Sequence, residues 1–124
     1  MDDEQITIND EISIVGRKDY SLHSRDQMQD YSQNTKTFNI VLDHQPKDLK
    51  ECSQNNIDLH LSGHTHAGQI FPLYYVNELL NINEMNYGLE QVNQMAAINT
   101  SGAAGWGFPI RTEHHSEFVI VNIH

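Results

Sequence analysis

Two histidines one residue apart, His64 and His66, lie in Ser62-Gly63-His64-Thr65-His66-Ala67-Gly68-Gln69. A neutral imidazole is a good ligand for Zn, Mn, Fe or Ni. In extended backbone, residues i and i+2 project to the same side, so both rings can face one point. Gly63 and Gly68 let the chain turn tightly on either side and approach an ion closely. A bare H-x-H is weak evidence for a metal; the flanking glycines and Gln69 strengthen it. A third histidine stands in Leu42-Asp43-His44-Gln45-Pro46. Alone it reads as a plain loop residue. It gains weight by repeating a pattern: an apolar strand, then a histidine at its end, then a helix, here opened by Pro46. If the two strands are sheet neighbours, His44 stands beside His64. The remaining histidines, His23, His60, His114, His115 and His124, have no motif around them and read as surface or core residues.

Strands must carry these residues to one edge. Ile6-Thr7-Ile8 and Ile12-Ser13-Ile14 alternate apolar and polar around Asn9-Asp10, which predicts a β-hairpin with one wet face. Ser24-Arg25-Asp26-Gln27 fits a capping box before a short helix with Met28 and Tyr31 on one face. Phe38 to Leu42 reads as a buried strand. A helix then starts at Pro46, with Leu49 and Cys52 sharing a face, and Ile57 to Ser62 is the next strand. Val76, Leu79 and Leu80 suggest a helical turn within an asparagine-rich surface excursion over 70–94. Ala96 to Asn99 is a short strand, and 101–109 is a glycine-rich loop. Phe118 to Ile123 is apolar enough to be a strand covered on both faces.

Bulk properties narrow the function. The 124 residues fit one domain and can bury one core. A formal charge of −10 disfavours nucleic acid and anionic lipid, which need clusters of Lys and Arg. Metal cations are not disfavoured, and a phosphate ester can be bound through them. Cys52 is the sole cysteine, so no internal disulfide can form, and it reads as a small buried apolar residue. No apolar run is long enough to span a bilayer. The acidic N-terminus argues against a signal peptide, and a strand that begins almost at once suggests a piece excised from a longer protein.

Gly63-His64-Thr65-His66-Ala67-Gly68-Gln69 resembles the G-H-T-H-G-G-Q motif of calcineurin-like metallophosphoesterases, most closely the small bacterial, often membrane-associated branch. Leu42-Asp43-His44-Gln45-Pro46 is similar to that branch's L-x-H-x-P motif. Residues Asn99 to Gly105, and Pro109-Ile110-Arg111, resemble its closing glycine loop and P-x-R segment, and Gly16 to Asp19 fits its G-x-x-D. The resemblance runs in order along nearly the whole chain. Ala67, where the family usually has glycine, is the one departure.

The resemblance implies a hydrolase of phosphate esters with two divalent ions (Mn, Fe, Zn or Ni) bridged by an aspartate. His44 and His64 would hold one ion and His66 the other. Such ions activate water and neutralise phosphoryl oxygens. The family's earlier motifs, D-x-H, G-D-x-x-D and G-N-H, supply the bridging carboxylate, most ligands of one metal and the general acid. No glycine here is followed by Asp or Asn, so the last two are missing. Asp58-Leu59-His60 spells D-x-H but is a decoy: it lies on the strand entering the G-H-T-H motif, with His60 on a sheet face. No catalytic residue is therefore expected in this chain, and no substrate-binding residue is assigned.

Residues 1–124 would be the C-terminal half of a metallophosphoesterase domain, an α/β chain with one mixed sheet and outer helices. That is half of a four-layer α/β/β/α sandwich, inactive alone and at most partly loaded with metal. Its expected partners are the phosphate-ester substrate, the missing N-terminal half and, through an exposed sheet face, a second copy of itself. Any membrane anchor would lie in the missing part. The alternative is a small stand-alone metal-binding or interaction module using His44, His64 and His66, and a further one is a remnant that kept the fold and lost the chemistry. Trp106-Gly107-Phe108 could border a substrate cleft or cap the core. Arg111 is expected to pair with a carboxylate.

Overall fold

The structure is a computed structural model describing residues 2–22, 24–31, 34–107 and 109–123. His23, Phe108 and His124, singled out above, lie outside the described residues. Six strands form one sheet: β1 (Glu4–Ile8), β2 (Ile12–Gly16), β3 (Phe38–Leu42), β4 (Leu59–Ser62), β5 (Gly88–Val92) and β6 (Met95–Asn99). Their order across the sheet is β1-β2-β3-β4-β6-β5. The inner four, β2, β3, β4 and β6, run parallel, and β1 and β5 close the edges antiparallel. The sheet is therefore mixed, with two α-helices, α1 (Leu49–Gln54) and α2 (Leu73–Leu80).

The predicted hairpin is present. Asn9 and Asp10 take left-handed backbone at φ 51° and 57°, which lets the chain reverse between β1 and β2. The capping box falls three residues later than the sequence suggested. The helix is a single 3₁₀ turn, Met28–Asp30, and the Asp30 carboxylate accepts from the Gln27 N–H at 3.0 Å. Met28 and Tyr31 are buried as expected. Helix α1 starts at Leu49 rather than at Pro46, because the free amides of Asp48 and Leu49 donate to the two carboxylate oxygens of Glu84, each at 2.9 Å.

Register sorts the side chains into two faces. Val15, Val41, His60 and Ala97 share one face with Met95. Met28, Tyr31, Leu49, Cys52, Ile57 and Met85 cover it and make the core. The other face carries Ile6, Ile8, Ile12, Ile14, Phe38, Ile40, Leu42, Leu59, Leu61, Ile98 and Leu89 in matched register. No helix among the described residues covers it, yet its centre is closed, with Ile40 and Leu59 buried, while its edges are open at Ile6, Leu42 and Leu89; residues 119–121 line a pocket with Leu89 and Ile98 on this face.

The C-terminal expectation is corrected. Residues 118–123 form no strand, and Phe118 and Ile120 are 82% and 74% exposed. Hydrogen bonds anchor the segment at its start. Glu117 accepts from the Tyr87 hydroxyl at 2.8 Å and the Ser101 N–H at 3.0 Å, and its N–H donates to the Gly102 carbonyl at 3.0 Å. The segment's residues 119–122 line a pocket with Leu89 and Ile98 but pair with no strand among the described residues.

Candidate metal centre

β3 and β4 are parallel neighbours, so their C-terminal ends lie side by side, where sites of α/β sheets form. His44 follows β3 and His64 follows β4. The His64 N–H donates to the His44 carbonyl at 3.0 Å and the Gly63 N–H does so at 3.3 Å, which ties the two loops together. The rings then meet: His44 Nε2 and His64 Nδ1 are 2.8 Å apart, with the rings edge to face. Two nitrogens at about 2.1 Å from one ion lie roughly 3 Å apart, so this spacing is close to that of a shared ligand pair. Partial burial and the His44 charge both lower the pKa of His64, favouring the neutral, ligating ring.

His66 lies on the next turn, a 3₁₀ segment His66–Gly68 entered through Thr65. It lines the same cavity of about 420 Å³ as His44 and His64. Its Nδ1 is buried without a hydrogen-bond partner among the described residues and sits 3.7 Å from where a Cβ on Gly102 would be. Among the described residues no three His, Cys, Asp or Glu side chains are grouped to hold an ion. The structure thus pairs His44 with His64 and leaves His66 beside them as a separate donor. The donor set fits part of a metal centre: imidazole nitrogens converge, one ring nitrogen is orphaned, and no carboxylate joins them.

The backbone of this loop explains its composition. Gly68 has φ 81°, and a Cβ there would lie 2.5 Å from the Tyr74 backbone nitrogen, so only glycine fits. Ala67, the departure from the motif, also takes left-handed backbone at φ 51° and is fully buried. Its methyl group is accommodated at the cost of that conformation.

Several supports were not legible in advance. Gln69 holds the glycine-rich loop: its side chain donates to the Trp106 carbonyl at 2.9 Å and the Ile110 carbonyl at 3.1 Å, and accepts from the Trp106 N–H at 2.5 Å. Trp106 consequently lines the cavity and is 75% exposed, so it borders a cleft rather than capping the core. Arg111 forms no ion pair among the described residues; its guanidinium donates to the carbonyls of His66, Ser101 and Ala104 at 3.0, 3.2 and 3.4 Å. The Asn99 amide donates at 2.8 Å to both the Thr65 hydroxyl and the Asn86 carbonyl, fixing β6 to the histidine loop. On the other side, the Asp19 carboxylate accepts from the Ser21 hydroxyl at 2.5 Å, the Ser21 N–H at 2.9 Å and the Gln45 amide at 2.8 Å, and these contacts hold it down at about 2. Gln69, Asp19, Asn99 and Arg111 all stand in motifs legible in the sequence; the partners they hold appear only in the folded loop.

Beneath the site, Asp43 is buried and paired with Arg25. Desolvation still raises its carboxyl above the ordinary value. His60 faces the core, fully buried, 4.0 Å from Asp43 and with neither ring nitrogen hydrogen-bonded among the described residues. It sits on the opposite side of the sheet from the open face and away from the cavity lining. Asp58 caps the entry to β3–β4 by accepting from the Asn39 N–H at 2.7 Å. Cys52 is buried, with its thiol pushed up to about 12, so it is not a nucleophile.

Comparison with known proteins agrees with this geometry. An uncharacterized metallophosphoesterase of Campylobacter jejuni is 38% identical over 91 residues, covering 73% of this chain and 24% of that protein. One from Helicobacter pylori is 38% identical over 86 residues, 68% of this chain and 23% of that protein. A Danio rerio transmembrane protein with metallophosphoesterase domain is 41% identical over 87 residues, 68% of this chain and 19% of that protein. The chain thus spans about a quarter or less of the length of the curated relatives it matches. No family model and no solved structure matches it. No helix among the described residues is long and apolar enough to cross a membrane. Histidine motifs at the ends of neighbouring parallel strands, together with these matches, make the chain a member of the metallophosphoesterase family.

Proposed function

We propose that residues 1–124 are the C-terminal part of a phosphoesterase domain that hydrolyses phosphate esters with two divalent ions, and that the chain alone is inactive. The observation that carries this is the 2.8 Å approach of His44 Nε2 to His64 Nδ1 at the ends of β3 and β4. His44 and His64 would hold one ion, and the orphaned His66 ring the other. When bound, the ions supply an activated water and charge neutralisation at the phosphoryl oxygens. This chain's residues present the ligands, fix them through the His44 carbonyl and Gln69, and close one side of the cavity with Trp106. The bridging carboxylate and the general acid would come from outside these residues. The open apolar sheet face supports a sandwich in which a second sheet covers it, as aligned sheets pack face to face. The relatives named as transmembrane proteins support a membrane-associated whole.

Metal titration of the chain tests the reading. Isothermal titration with Zn²⁺ or Mn²⁺ is expected to show at least one ion held per chain, weakened tenfold or more in His64→Ala. Turnover of bis-p-nitrophenyl phosphate should be absent. Failure to bind either metal, or metal-dependent turnover that disappears in His64→Ala, would overturn the proposal.

A further inference from the structure

Helix α2 reads Leu73-Tyr74-Tyr75-Val76-Asn77-Glu78-Leu79-Leu80, apolar at all but two positions, yet none of its residues is buried. Leu73, Tyr75, Leu79 and Leu80 are 49%, 61%, 82% and 63% exposed. A helix apolar all round normally lies inside a core or a bilayer. At eight residues α2 is far too short to span one.

This helix is built onto the histidine loop. The close approach of Gly68 to the Tyr74 backbone fixes its first turn, and the Phe71 N–H donates to the Thr112 hydroxyl at 2.8 Å. Trp106 is fixed to the same loop by Gln69. Leu73, Ile82 and Trp106 therefore line one cavity together with His44, His64 and His66. Phosphate-seeking groups and apolar groups share a single space. No Lys or Arg is among its described lining residues; Lys47 and Arg111 stand behind the lining, donating to the Ile82 and His66 carbonyls at 3.2 and 3.0 Å, so these cations are already engaged by backbone.

We propose that the site takes an amphiphilic, lipid-type phosphate ester, with its phosphate at the His44–His64 pair and its hydrocarbon chain between α2 and Trp106. The head-group assignment rests on the phosphoesterase reading above; the tail assignment rests on α2 and Trp106 alone. Trp106 is the sole tryptophan, so its fluorescence reports on this cleft.

The test is emission from the full 124-residue chain with one equivalent of Zn²⁺, titrated with monomeric dodecyl phosphate and with ethyl phosphate. Burial of only a few methylenes predicts a blue shift that saturates at a concentration on the order of 100-fold lower for dodecyl phosphate. Leu73→Asn should narrow that gap to about tenfold. Equal concentrations for the two esters, with zinc dependence intact, would overturn the tail assignment and leave the phosphoesterase reading standing. A shift of the same midpoint with dodecyl maltoside would also overturn it, since the cleft would then sense any detergent. Zinc-independent titrations of both phosphates, unchanged in His64→Ala, would overturn the phosphoesterase reading and this proposal's head group with it.

Discussion

His60 is expected to make the fold acid-sensitive, and its replacement by leucine should remove that sensitivity. The ring is fully buried against the core face of the sheet, and both nitrogens lack hydrogen-bond partners among the described residues. Desolvation first, then the charges of Arg17 and Arg25, depress its pKa from 6.5 to about 4, with Asp48 opposing. The folded ring is thus neutral where the unfolded one is already protonated. As pH falls below 6.5 the unfolded chain takes up the proton first, and stability is lost until the folded pKa near 4 is reached. A gap of that size corresponds to about 3 kcal/mol. Asp43, whose carboxyl burial raises, contributes with the opposite sign; at 4.0 Å from His60 it is coupled to the ring, so the difference between the two chains reports the pair. His60→Leu also removes buried, unsatisfied nitrogens, so it should be more stable by ~1–3 kcal/mol at neutral pH. Urea unfolding followed by circular dichroism across this pH range gives both numbers. Parallel stability curves for the two chains, or a variant less stable at neutral pH, would refute the placement of His60 as an uncharged core residue.

Gly68 and the sheet face carry two further expectations. Gly68→Ala forces a Cβ against the Tyr74 backbone and an L-residue into φ 81°, so it should cost ~2 kcal/mol or more in urea melts and release α2, read as faster proteolysis within 73–80. The uncovered sheet face should make the chain self-associate at micromolar concentration in sedimentation velocity, and Ile14→Asp in its middle should shift the population towards monomer; a monomeric parent chain would show the face to be self-sufficient.

The parts of the fold that were legible are those where local pattern and tertiary context agree. β3 spans Phe38 to Leu42 as read, since a buried parallel strand is a continuous apolar run. Leu49 and Cys52 share the buried face of α1 as their spacing requires. β5 was missed because an edge strand exposes both faces: Leu89-Glu90-Gln91 has no alternation to detect. Residues 118–123 are the opposite case, an apolar run that pairs with no described strand and leaves Phe118 and Ile120 exposed. The boundary of α1 depended on Glu84, which lies 35 residues from Leu49 in sequence and is invisible to a local reading. In the site, the three histidines were marked by their motifs, whereas the hold of Gln69 on Trp106 exists only once the loops close.

The distances along the chain between those partners separate two properties of the cavity. His44 and His64 are only 20 residues apart, at the two ends of one strand–helix–strand crossover. Gln69 and Trp106 are separated by 37 residues, with α2, β5 and β6 between them. If the pair holds an ion as proposed, that affinity is a local endowment, available as soon as β3 and β4 pair. Choice of the molecule brought to that ion belongs to the longer closure, which loop-closure entropy makes later and weaker. Variation in 70–110 can therefore reshape the cavity without rewriting the unit that pairs the histidines, and grafting 38–66 into another parallel sheet would carry the histidine pair but not the cavity around it.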